Sequence, residues 1–164
     1  MVFSSCISTK EVSKMDIVSS VDLEKYMGKW YEIARYPHRF ERDLVGVTAQ
    51  YTLKENNWIE VINSGYKNSF DGDFKSAKGK AKPADDSGAG WLKVSFFWFF
   101  YADYLILELD TIHYQYALVG SSSKDYLWVL GREPFMQPDT LQMMLNKAKE
   151  RGYDLSRIEI VPQR

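Results

Sequence analysis

Between residues 30 and 132 the chain repeats one pattern: short segments rich in Val, Ile, Tyr, Phe and Trp, separated by clusters of turn-forming residues. Short β-branched and aromatic runs bounded by turn signals suit strands, whereas helices need longer runs at a period of 3.6. Eight segments qualify, at residues 30–37, 47–54, 58–66, 75–83, 91–97, 104–110, 114–120 and 126–132. The links between them, among them Asn56-Asn57, Asp71-Gly72, Asp85-Asp86-Ser87-Gly88 and Gly120-Ser121-Ser122-Ser123, are built from residues that accept turn dihedrals. Eight strands joined by hairpins predict an all-β fold, an antiparallel up-and-down barrel whose closure removes exposed sheet edges.

The flanks follow other rules. Residues 1–20 are polar and without a sustained period, which predicts a flexible leader ahead of a domain spanning 21–164. Val21 to Met27 is apolar at helical intervals, with Asp22 placed to cap a short turn. After the barrel, Leu141, Met144, Leu145 and Ala148 fall three and four residues apart, which predicts an amphipathic helix over 139–151. Pro138-Asp139 opens it, Gly152 stops it, and its stripe is expected to pack on the outer wall. Arg157 to Val161 reads as a last short strand.

Several function classes drop out on composition. Lys plus Arg number 21 against 22 Asp plus Glu, so the electrostatic footprint of a nucleic-acid binder is missing. The single cysteine, Cys6, permits neither an intrachain disulfide nor a cysteine-rich zinc site, and two histidines, His38 and His113, make a poor metal cluster. No metal and no cofactor is expected. The longest apolar stretch, Phe96 to Ala102, falls far short of the ~20 residues of a membrane-spanning helix.

Gly28-Lys29-Trp30-Tyr31-Glu32-Ile33-Ala34-Arg35 resembles the Gly-x-Trp signature that opens the first strand of lipocalins. Asp110 to Tyr114 resembles the family's second motif, and Arg132 ends strand eight where lipocalins place an arginine. The resemblance implies that Gly28, Trp30 and Arg132 form a plug at the closed base, with the guanidinium stacked on the indole and bonded to carbonyls. His38-Arg39-Phe40-Glu41-Arg42, Val61-Ile62-Asn63-x-Gly65-Tyr66, Gly79-Lys80-Ala81, Leu92 to Phe97 and Tyr126-Leu127-Trp128 are similar to the bacterial outer-membrane lipocalins and, more distantly, to apolipoprotein D. That subfamily implies an outer-membrane lipoprotein facing the periplasm, which carries or stores a fatty acid or lysophospholipid. Phe3-Ser4-Ser5-Cys6 resembles the box before a lipidated cysteine, but almost nothing precedes it. Either the start is truncated, the reading favoured here, or Cys6 is an ordinary free thiol.

Strand residues alternate between lumen and exterior. With Trp30 facing inward, Glu32, Ala34 and Tyr36 should share its face. The same alternation, guided by the family, gives Tyr51, Val61, Asn63, Val94, Phe96, Ile106, Glu108, Tyr126 and Trp128 as lumen candidates. Ala34, Ala77 and Gly79 are small enough to leave space for a ligand, the alternative being an ordinary filled core. An enzyme on this scaffold would need an acid–base pair such as Glu32 and Glu108, or a lumen cysteine, and Cys6 lies before the barrel. A binder without catalysis is therefore expected. Glu108 carries a separate expectation, that it meets the ligand headgroup, against the plainer one that it bonds a neighbour. A structural envelope lipoprotein without a dedicated ligand is the other reading. Finally, Phe96 through Tyr101 is an unbroken aromatic run at the mouth, where relatives have Gly-Pro at Trp98-Phe99. Trp98, Phe99 and Phe100 are expected to contact a membrane or a second copy of the protein, or else to fold back as a lid.

Overall fold

The computed structural model describes residues 16–97 and 100–164. Among the described residues nine strands run in chain order: β1 (Gly28–Arg35), β2 (Leu44–Leu53), β3 (Ile59–Lys67), β4 (Phe74–Pro83), β5 (Trp91–Phe97), β6 (Phe100–Leu109), β7 (Tyr116–Gly120), β8 (Leu127–Gly131) and β9 (Glu159–Ile160). Each of β1 to β8 pairs antiparallel with its sequence neighbour, and β8 pairs back onto β1, which closes an eight-stranded barrel. Cys6, Trp98 and Phe99 lie outside the described residues, as does the side chain of Phe100.

The helix after the barrel, Pro138–Glu150, buries Met144 and Ala148 against Leu105, Leu107, Leu118, Leu127 and Val129 on the outer wall. Proline at its start has a fixed φ suited to the first turn, and Gly152 at φ +83° supplies the left-handed residue beyond its end. The four-residue helix Leu23–Tyr26 is capped by Asp22, which accepts from the Lys25 N–H at 3.2 Å. Part of the expected leader is tied down: the Val18 N–H donates to the Ile106 carbonyl and the Val18 carbonyl accepts from Gly90. The last strand is shorter than expected. Asp154 caps a 3-10 turn at Leu155–Arg157, leaving two residues, β9, to pair with Ala34 and Arg35.

Among the described residues four irregularities in strand register shape the interior, one of them in β5 against β6 between Val94 and Phe97. β1 shifts against β8 between Glu32 and Ala34, β2 shifts against β3 between Val45 and Thr48, and β6 shifts against β7 between Ile106 and Glu108. One extra residue at such a bulge reverses the in–out parity of everything after it. β1 and β2 pair only over Gly28 to Tyr31, and above that point β9 takes the free side of β1.

Candidate functional site: a closed base and a lined lumen

The base is sealed by an arginine laid over a tryptophan. Trp30 is fully buried, and its indole N–H donates to the Tyr26 carbonyl at 2.8 Å. The Arg132 guanidinium lies 3.8 Å from the ring centroid and donates to four carbonyls: Tyr114 at 3.0 Å, Lys29 at 3.0 Å, Lys25 at 2.7 Å and Tyr26 at 3.2 Å. A planar fork with several N–H groups can span carbonyls from three chain segments, which an ammonium cannot. Gly28 admits this approach. Its φ is +94°, and a Cβ there would sit 3.3 Å from Arg132 Nη1.

Above the plug stands a chain of phenols. Tyr26 and Tyr104 share a hydrogen bond of 2.7 Å, and Tyr104 and Tyr51 share one of 3.1 Å. Burial pushes all three hydroxyls up, so they remain neutral donors and acceptors. Higher still, a cavity of about 80 Å³ is bounded by Tyr51, Val61, Asn63, Val94, Phe96 and Trp128 from the expected set. Tyr104, Val119, Leu130, Val47, Glu32 and Glu41 complete most of its wall. Asn63 Oδ1 is buried without a hydrogen-bond partner. Phe96 covers Gly79 so closely that a Cβ there would lie 2.7 Å from its ring, so the space left by the glycine is taken by Phe96.

Three residues expected on the lumen face, Ala34, Tyr36 and Glu108, face the other way. Ala34 packs in the outer cluster with Met144 and Ala148, because the bulge after Glu32 places both Ile33 and Ala34 outside and turns Arg35 inward. Tyr36 follows the same reversal and donates to the Asp154 carbonyl. Glu108 is displaced by the bulge after Ile106 and accepts from Arg151, at the end of the outer helix, at 2.7 Å. Glu32 and Glu108 thus lie on opposite sides of the wall and form no acid–base pair. Ile106 points inward but belongs to the packed interior and does not border the cavity. Tyr126 stacks on Trp128, with ring centroids 5.7 Å apart, and adds an aromatic layer beside the cavity.

One wall of the lumen is ionic. Arg35, 1 % exposed, donates through Nη1 to Glu32 at 3.1 Å, with Glu41 at 3.8 Å, and through Nη2 to the Leu44 carbonyl and to Glu159, each at 3.2 Å. His38 Nε2 lies 2.8 Å from Glu41 Oε2, and the Trp128 indole N–H donates to the same oxygen at 3.4 Å. Burial, then the neighbouring Glu41 charge, push the Glu32 carboxyl well above its usual range, and the Arg35 guanidinium beside it offsets only part of this. Glu41 is buried too, but its bonds to His38 and the Arg35 charge outweigh that cost and hold its carboxyl low.

The Lipocalin-like domain model matches residues 21–163. This chain belongs to the lipocalin family. It is 41 % identical over 163 residues to the outer membrane lipoprotein Blc of Vibrio cholerae, covering 99 % of this chain and 94 % of that protein. Apolipoprotein D of Bos taurus is 34 % identical over 155 residues, covering 90 % and 79 %. Among solved structures, insecticyanin of the tobacco hornworm Manduca sexta superimposes with a TM-score of 0.73 at 20 % identity, covering 91 % of this chain and 84 % of that one.

Strand alternation could not find the lipocalin's ionic wall. Arg35 is an odd number of residues from Trp30 and reaches the interior only through the bulge. His38 and Glu41 come from the loop at residues 36–43, which has no period to read. The one sequence signal was the i, i+3 spacing of His38 and Glu41, matched by the Glu41 N–H donating to the His38 carbonyl at 3.2 Å.

Proposed function

We propose that this lipocalin binds one long-chain amphiphile, a fatty acid or a lysophospholipid, in its lumen, and does so as an envelope protein of the bacterial outer membrane. The observation that carries the reading is the chamber itself: apolar and aromatic on most sides, shut at the base by Arg132 over Trp30, with the carboxyls of Glu32 and Glu41 together on one side and a few other polar groups elsewhere in the lining. Apolar lining with a few placed polar groups is the usual make-up of a small-molecule site. The likeness to an outer membrane lipoprotein supports the location. Glu32 and Glu41 are engaged by Arg35, His38 and each other, an arrangement that favours holding a ligand over proton transfer to one.

The cavity of about 80 Å³ is roughly half the size of an apolar cavity that takes up benzene, ~150 Å³. An acyl chain therefore enters only if lining side chains move. Phe96 is the side chain best placed to do so, since it fills the cradle left by Gly79. Each methylene buried contributes about 0.8 kcal/mol, so a dozen give roughly 10 kcal/mol before association costs of ~4–15 kcal/mol. Micromolar to nanomolar affinity follows if displacing Phe96 is cheap.

Titration of the purified, delipidated protein with oleate should quench Trp128 fluorescence saturably at one equivalent. Trp128→Glu, which sets a second carboxylate beside Glu41 in the lumen wall, should weaken binding at least tenfold by calorimetry while leaving the barrel folded. Unchanged affinity in that folded variant refutes the lumen assignment.

A further inference from the structure

We propose that Arg35, His38 and the Trp128 indole form a binding site for the anionic head of an amphiphile, occupied in this structure by the protein's own Glu41 carboxylate, which thereby latches the loop at residues 36–43 over the lumen. The proposal rests on the lumen reading above and adds the headgroup chemistry and the way in.

Position is the first support. Glu41 and Glu32 border the cavity, whereas Arg35 and His38, which stand behind them, do not. Any anion placed at the Glu41 carboxylate would face the apolar chamber on one side and these donors on the other, as the head of a chain lying in the chamber must. Glu41 reaches this point from a loop, not a strand. The loop leaves β1 at Arg35 and joins β2 at Leu44. Nothing in barrel construction requires a carboxylate from that loop to be buried among aromatic rings. His38 packs edge-on against Tyr126 at 5.4 Å and Trp128 at 5.6 Å, so loop and lumen wall meet at this cluster.

Spare hydrogen-bonding capacity is the second support. Arg35 Nε and His38 Nδ1 are both buried without a hydrogen-bond partner. The Arg35 Nε–H is a donor in any state, and a buried N–H without a partner is costly and usually satisfied, whereas the role of His38 Nδ1 depends on the tautomer of the ring. Glu41 has two oxygens, and one of them, Oε2, takes His38, Trp128 and the long Arg35 contact. A carboxylate or phosphate that is not tethered to the loop can settle closer to the guanidinium than the 3.8 Å that Glu41 achieves.

Charge is the third. On the lumen side Arg35 meets Glu32 and Glu41, of which burial pushes the Glu32 carboxyl up while the Glu41 carboxyl is held low, and Glu159 meets it from the half-exposed outer side. Replacing Glu41 with a ligand anion exchanges one carboxylate for another, so the desolvation of Arg35 is not repeated. A neutral head cannot make that exchange. It leaves Glu41 in place and the loop closed. Carboxylate and phosphate heads share this chemistry, and they are separated below by ligand choice.

Glu41→Gln alone is an incomplete test, because Glu32 would then lose its charged neighbour and ionise in its place. The comparison is therefore Glu32→Gln against Glu32→Gln/Glu41→Gln, each titrated with oleate, oleoyl lysophosphatidate and monoolein by Trp128 quenching. The double variant should bind one or both anionic ligands at least tenfold more tightly than the single variant, with monoolein changing less than twofold. Tightening for oleate alone assigns the site to carboxylates, and for lysophosphatidate alone to phosphates. Should the double variant fold poorly, amide exchange in the wild-type protein decides. Oleate or lysophosphatidate should speed exchange at the Glu41 and Leu44 amides, which bond to the His38 and Glu41 carbonyls, and monoolein should not. Equal changes for all three ligands, or no loosening of the loop by either anion, overturn the latch while leaving lumen binding intact. If none of the three binds, the lumen reading fails and the latch with it.

Discussion

Removing the Arg132 side chain should loosen the barrel at its base by a calculable amount. Arg132→Ala loses four hydrogen bonds to carbonyls and the stacking on Trp30. The bonds to Lys29 and Lys25 are solvent-exposed, and water replaces them at little net cost. Those to Tyr114 and Tyr26 are partly buried, and each contributes about 1 kcal/mol net. Cation–π stacking on a buried indole adds about 1 kcal/mol. The expected loss is therefore about 3 kcal/mol, or a melting temperature lower by roughly 6–12 °C for a domain of this size. Arg132→Lys should recover about a third of it, since a single ammonium cannot serve carbonyls from three segments. Equilibrium urea unfolding followed by tryptophan fluorescence measures both, with an unchanged slope showing that the denatured state is unaffected. A loss below 1 kcal/mol for the alanine variant, or full recovery with lysine, refutes the plug.

Phe96→Ala should cost about 2 kcal/mol in stability, because the ring is only half-buried, while raising affinity for long acyl chains, as read by titration of the folded variant. The Glu32 carboxyl has a raised folded value, so its contribution is complete below the unfolded value of about 4.3 and is lost as pH rises through the folded one. Glu32→Gln should therefore flatten the fall in stability from mildly acid toward alkaline pH, measured by thermal melts across that range. Glu41 works in the opposite sense. Its lowered folded value makes its contribution complete above the usual carboxylate range and lost as pH falls through the folded value, so Glu41→Gln should blunt acid destabilisation. Glu108→Gln should cost about 1 kcal/mol through its bond to Arg151 and leave ligand affinity unchanged, an outcome that a titration and a melt together check.

The regular parts of this lipocalin were open to reading from the chain alone, and the irregular parts were not. Trp30 and Arg132 carry the base because a short local motif and one strand end suffice to place them. Val61, Asn63, Val94 and Trp128 follow from a period of two on stretches ahead of any shift in their own strands, while Tyr51 lies beyond the shift in β2 and Phe96 within the one in β5. Ala34 and Glu108 fail for a single reason: each follows a bulge, and an inserted residue leaves no mark in composition while it inverts the faces beyond it. The same event brings Arg35 inside, where its charge is balanced by residues from a loop and from β9, more than a hundred positions away. Contacts of that kind depend on closure of the whole barrel. Tyr104, two residues from Ile106, shares its inward face by the same period, but its part in the site is not legible from that. Its role rests on hydroxyl bonds to Tyr26 and Tyr51, which sit on other elements, and no spacing along one strand reveals them.

Native mass spectrometry of the freshly purified protein, without delipidation, tests the central claim most directly. One long-chain amphiphile per barrel should accompany the wild-type chain and be lost or much reduced in Trp128→Glu. A wild-type protein that is bare at every step of purification, and stays bare when offered oleate or a lysophospholipid, would contradict the claim that this lumen is a lipid site.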